Sequence, residues 1–103
     1  MAYYLVTAKP KKELLGELKD SLNKDLFYKL KTFGHALTLS LKDARVNEDG
    51  SAIWEEEGYC ITPLKEEREN VLDRFFDDIK VLRVSKDEGW EKIKNLPKLF
   101  TNS

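Results

Sequence analysis

The sequence predicts a single α+β domain: a four-stranded antiparallel sheet with two helices on one face and a short helix at the C-terminal end. Three observations predict it. Apolar residues switch between the two-residue period of a strand and the three-to-four-residue period of a helix. The segments run strand, helix, strand, strand, helix, strand. The 103 residues, 41% hydrophobic and 11% aromatic, suffice for one core but not for two.

The first strand is Tyr3 to Ala8, a short aromatic and β-branched run suited to the centre of a sheet. After Pro10, Leu14, Leu15, Leu18 and Leu22 recur on one helical face opposite Lys11, Lys12, Glu17, Lys19 and Asp20. Leu26, Phe27 and Leu30 could continue that stripe, either in one long helix or in a second short one, with Gly34 at the exit. From His35 to Leu41, Leu37, Leu39 and Leu41 alternate with polar residues and predict a second strand. Asn47 to Gly50 is a polar Asp-Gly turn, and Ala52 to Ile61 returns as the third strand of a hairpin.

A symmetric hairpin pairs Lys42 with Glu55 and Leu41 with Glu56; a bulge shifts this by one. Thr62 and Pro63 then open a second helix, with Leu64, Val71, Leu72, Phe75 and Phe76 inward and an end near Asp77 or Asp78. Ile79 to Val84 is the fourth strand. Ser85 caps a last short segment with Trp90, Ile93 and Leu96, stopped by Pro97. The core therefore spans residues 3–84, with a helical extension over 86–103, all in one domain.

This βαββαβ order over residues 3–84 resembles the ferredoxin-like superfold and, more loosely, the dimeric α/β-barrel group, in which two sheets pack through their open faces. The resemblance implies a sheet with one bare face and a homodimer built on it. It rests on the pattern of elements, with no catalytic motif, so no activity follows from it.

Charge narrows the function classes. Eighteen basic and nineteen acidic residues leave a net charge of -1, which argues against a nucleic-acid binder driven by general positive potential. The charge is blocked along the chain: +4 over residues 1–42, -8 over 43–78 and +3 over 79–103, a pattern that can complement itself across a dimer. No apolar run is long enough to span a bilayer and no secretory leader is evident, so a cytoplasmic protein without a membrane partner is expected. Cys60 is the only cysteine, which excludes an internal disulfide and multi-cysteine zinc sites; no metal or cofactor is expected.

Few residues suggest chemistry. Glu55, Glu56 and Glu57 lie within a central strand, and alternation sends at least one of them to the opposite face from its neighbours. A carboxylate held in an apolar pocket could act as acid or base; on an open face it would pair with lysines. His35, the only histidine, shares the parity of Leu37 and Leu39, placing it on the apolar face either as a proton-exchanging contact or as a packing residue. Cys60 could meet His35 across the hairpin as a nucleophile, but no oxyanion turn accompanies it, and a buried thiol is the simpler role.

Trp54, Tyr59, Tyr3 and Tyr4 bring rings to the sheet centre, as in base-stacking RNA modules, yet the glutamate run stands where a basic strand motif would be. The expected function is a self-associating domain of no established catalysis, with the aromatic residues and the Trp90 segment in the contact. The alternative is a small-molecule binder or enzyme of the dimeric-barrel type, with His35, Trp54, Glu56, Glu57 and Tyr59 as candidate ligand contacts.

Overall fold

The computed structural model describes residues 2–30, 33–58 and 68–100. Strand β1 (Ala2–Pro10) leads through a 3₁₀ turn at Lys12–Leu14 into α1 (Leu15–Asn23), then α2 (Gly34–Lys42), the two-residue β2 (Arg45–Val46) and β3 (Ala52–Gly58). A π-type helical turn at Arg68–Leu72 continues into the single turn α3 (Asp73–Phe75), followed by β4 (Phe76–Val84) and α4 (Glu88–Ile93). The class is α+β, and the antiparallel sheet has the order β2-β3-β1-β4.

The sheet register sorts the side chains. Val6 faces Trp54 and Tyr4 faces Glu56 across β1 and β3, so Tyr4, Val6, Ala8, Ala52, Trp54 and Glu56 share the inner face. There they meet Leu18 and Leu22 of α1 and Leu37 and Leu41 of α2 in one core, closed by Phe33, Val71, Leu72, Phe75 and Phe76. Phe76 lies against Trp54 with ring centroids 5.2 Å apart, and Phe27 meets Phe75 edge-on at 6.1 Å. Tyr3, Leu5, Thr7, Ile53, Glu55 and Glu57 alternate to the outer face.

The second strand expected at His35 to Leu41 is instead helix α2. Its alternating leucines conceal a helical stripe: Gly34, Leu37, Thr38 and Leu41 are buried, at the i, i+3, i+4, i+7 spacing, while Leu39 is 53% exposed. Gly34 therefore opens α2 rather than ending the previous helix. A Cβ there would stand 2.1 Å from the Phe27 carbonyl oxygen, so only glycine admits the 25–30 turns so close to α2. Those turns do not extend α1: its last residue is Asn23, and Leu26 is exposed.

The hairpin turn falls where its Asp-Gly pair placed it. Gly50 adopts φ 87°, its N–H donates to the Asn47 carbonyl at 2.9 Å, and Asn47 N–H donates to the Ser51 carbonyl at 2.8 Å. The register is the bulge-shifted one, Arg45 opposite Ile53 and Val46 opposite Ala52. Lys42 and Leu41 pair with no glutamate, because both belong to α2. The fourth strand starts at Phe76, three residues before Ile79, and the preceding helix ends at Phe75 rather than at Asp77 or Asp78. The start of that helix at Thr62 and Pro63 lies outside the described residues.

The C-terminal segment crosses the sheet. Leaving β4 at one edge, it lays α4 over the outer face and then pairs with β2 at the opposite edge. Val46 N–H donates to the Pro97 carbonyl at 2.9 Å, and Leu99 N–H donates to the Ala44 carbonyl at 2.8 Å. Leu99 and Phe100 then reach the core.

Candidate functional site

The glutamate run divides as strand alternation requires. Glu55 faces outward yet is only 3% exposed, because α4 covers it. Its carboxylate accepts the backbone N–H of Asp87 at 2.8 Å and that of Gly89 at 2.7 Å, at the start of α4. These are the donors that a helix leaves unpaired at its N-terminus, so a buried negative charge is well matched there. Gly89 makes the approach close: a Cβ there would lie 3.0 Å from the Glu55 Oε1 and 3.1 Å from the Leu5 Cδ1, so these side chains would have to give by a few tenths of an ångström.

At the other end of α4, the Arg45 Nη1 donates to the Lys94 carbonyl at 3.0 Å and to the Leu96 carbonyl at 2.8 Å. Ser85 is not the N-cap expected of it: Asp87 stands at that position, with no side-chain cap hydrogen bond, and Ser85 engages the helix start through its backbone alone. Its N–H donates to the Glu88 Oε1 at 2.8 Å, and its carbonyl accepts the Glu88 N–H at 3.0 Å. That hydrogen bond, with Lys92 one turn on at 3.4 Å, holds the Glu88 carboxyl below its usual range.

Glu56 points inward and is 1% exposed; its Oε1 accepts the Trp54 indole N–H at 2.8 Å. The buried indole N–H thus finds its acceptor in a buried carboxylate two residues on along the same strand face. Glu57 is half-buried, opposite Tyr3. His35 is exposed at the start of α2, not on an apolar strand face, and its Nε2 lies 2.9 Å from the Tyr28 hydroxyl with the rings 4.3 Å apart. Of the candidate contacts, Trp54 and Glu56 come together in the core and His35 pairs with Tyr28 at the surface. Tyr59 and Cys60 lie outside the described residues. Among the described residues, no group of three or more His, Cys, Asp or Glu side chains could hold a metal ion. Nor is any helix among them long and apolar enough to cross a membrane.

One cleft escaped the sequence. Lys19 and Asn23 of α1, Lys42 and Asp43 at the end of α2, and Lys98 and Phe100 of the C-terminal segment surround a space of about 340 Å³ floored by Leu22. These residues come from three distant stretches of chain, and no local pattern marks them. No protein-family model, curated protein or solved structure matches the chain.

Proposed function

We propose that this chain is a ferredoxin-like interaction domain that pairs with a second copy along β4 and the bare strip of outer sheet face beside it. The order β2-β3-β1-β4, with helices between β1 and β2 and helical turns between β3 and β4, supports the ferredoxin-like reading. A cytoplasmic setting belongs to the same reading, supported by the single cysteine in 103 residues.

The unequal treatment of the two sheet edges carries the proposal. The β2 edge is protected by the chain's own residues 97–99. By contrast, β4 runs for nine residues and, among the described residues, pairs in the sheet with β1 alone. An edge strand of that length is a template for a further strand. Beside it on the outer face, Leu82 is 57% exposed, while α4 sits farther across over Leu5 and Glu55. Antiparallel pairing of β4 with its copy would join the sheets and cover Leu82.

Sedimentation velocity over a concentration series tests this. A dimer at high micromolar concentration that Leu82→Lys converts to a folded monomer is the expected result. A wild-type monomer, or a dimer indifferent to Leu82→Lys, overturns it.

A further inference from the structure

Given the self-pairing along β4 on which this rests, we infer that the two copies are locked by charge: the twofold axis passes at Val81, and Arg83 and Lys86 of each copy meet Asp78 and Asp77 of the other. The cations at the end of β4 point to it. Among the described residues, the side chains of Lys80, Arg83 and Lys86 form no ion pair or hydrogen bond, although Arg83 and Lys86 line one shallow cleft with Tyr3, Ser85 and Glu88. Glu88 does not answer them, because its carboxylate accepts the Ser85 N–H at 2.8 Å and stands 3.4 Å from the Lys92 Nζ. Unmet charges of one sign at a sheet edge turn away most strands and select one that brings carboxylates.

β4 brings carboxylates at its other end. Asp77 and Asp78 are exposed there, with the Lys11 Nζ 3.9 Å from the Asp77 Oδ1 and the Lys9 Nζ 3.5 Å from the Asp78 Oδ2. Both contacts are longer than the about 2.7–2.9 Å of a strong charge-assisted hydrogen bond. Lys11 is also held by the Asp73 carbonyl at 3.0 Å. The two carboxylates therefore keep capacity for a second cation. Antiparallel pairing sets the start of one strand beside the end of its copy, so a strand with carboxylates at its start and unmet cations at its end complements itself.

Side-chain faces restrict the register. Opposite residues in a sheet share a face, so the axis must pass at a residue and not between two. An axis at Lys80 sets the two ammonium groups opposite one another. An axis at Leu82 sets Arg83 opposite Val81, well short of Asp78, and axes further out shorten the paired stretch. With the axis at Val81, Arg83 stands opposite Ile79, next to Asp78, and Ser85 stands opposite Asp77, with Lys86 next along. Asp78 lies in the bulge where the register with β1 shifts, at φ 52°, which frees its side chain from strict alternation. Lys80 then lies opposite Leu82 on the outer face and covers it with its aliphatic stem. Leu82→Lys would set a second ammonium against that one.

The test uses the full chain carrying Cys60→Ser, so that a single introduced cysteine reports the axis. Only the axis residue stands directly opposite its own copy, at about 5 Å between Cα atoms; a neighbour lies about 8 Å from its copy, beyond disulfide reach. Oxidised glutathione should link Val81→Cys, and neither Lys80→Cys nor Leu82→Cys. In sedimentation velocity, Arg83→Glu and Asp78→Lys should each weaken the dimer at least about fivefold, and the double variant should recover most of that loss. The cross-link reports the register whether or not Asp78→Lys folds. A wild-type monomer at high micromolar concentration overturns the self-pairing itself. A dimer linked at residue 80 or 82, or at none of the three, overturns the lock and leaves self-pairing standing, as does one indifferent to Arg83→Glu or not restored in a folded double variant.

Discussion

Glu55 and Arg45 hold opposite ends of the same six-residue helix, the carboxylate on the N–H groups at its start and the guanidinium on the carbonyls past its end. A helix this short has little stability of its own, so these side chains from neighbouring strands supply much of what keeps α4 formed. Glu55→Ala leaves two N–H groups without acceptors and should cost about 2–4 kcal/mol; Arg45→Ala should cost about 1–3 kcal/mol. Because either change frees the same segment, the double variant should lose less than the sum. Urea unfolding measures all three, and hydrogen exchange at Asp87 and Gly89 should rise in each.

The helical assignment of residues 34–42 makes a sharp contrast between two leucines. Leu37 is fully buried, and Leu37→Ala should cost about 2–5 kcal/mol. Leu39 is exposed, and Leu39→Ala should change stability by no more than about 0.5 kcal/mol. Comparable losses at both positions, by thermal or urea unfolding, would restore the strand.

Trp54 fills the core and gives its only polar hydrogen to Glu56. Trp54→Phe shrinks the ring beside Phe76 and removes the donor, and should cost about 2–4 kcal/mol. In the variant Trp90 is the remaining tryptophan. Because Trp54 is fully buried and Trp90 is not, tryptophan emission should move to longer wavelength.

Acid should loosen two local structures. The Ser51 backbone N–H, 2.9 Å from the Asp49 Oδ1, holds the Asp49 carboxyl low, as the Ser85 N–H does for Glu88. A carboxyl whose folded value is depressed stabilises the fold above its ordinary value, and this is lost as pH falls through the lower folded one. The amide signals of Ser51 and Ser85 should therefore titrate with their carboxylate partners, each at a pH below that of the same carboxyl in the unfolded chain. Glu88→Gln should abolish the titration at Ser85 and leave that at Ser51 intact.

Much of the sheet was legible because its signals are local. The Tyr3 to Ala8 run, the Asp-Gly turn and the position of Glu55 to Glu57 on β3 each need only a few residues to read. Residues 35–41 were not, because Leu37, Leu39 and Leu41 satisfy the strand period, while Gly34, Leu37, Thr38 and Leu41 satisfy the helical one. Only packing against β3 chose between them. The split among the glutamates follows from alternation, but burial of Glu55 depends on α4, whose docking no short-range pattern specifies. Arg45 and the lysine-lined cleft were invisible for the same reason: each joins residues far apart in sequence.

The central place of β1 has a consequence for how the protein is made. Both neighbours of this strand, residues 52–58 and 76–84, are translated long after residues 2–10. At roughly 5–20 residues per second, the ribosome takes about 4–15 s after β1 to complete β4. Over that interval the nascent chain carries an apolar strand whose eventual partners do not yet exist, and chaperone shielding would matter most then.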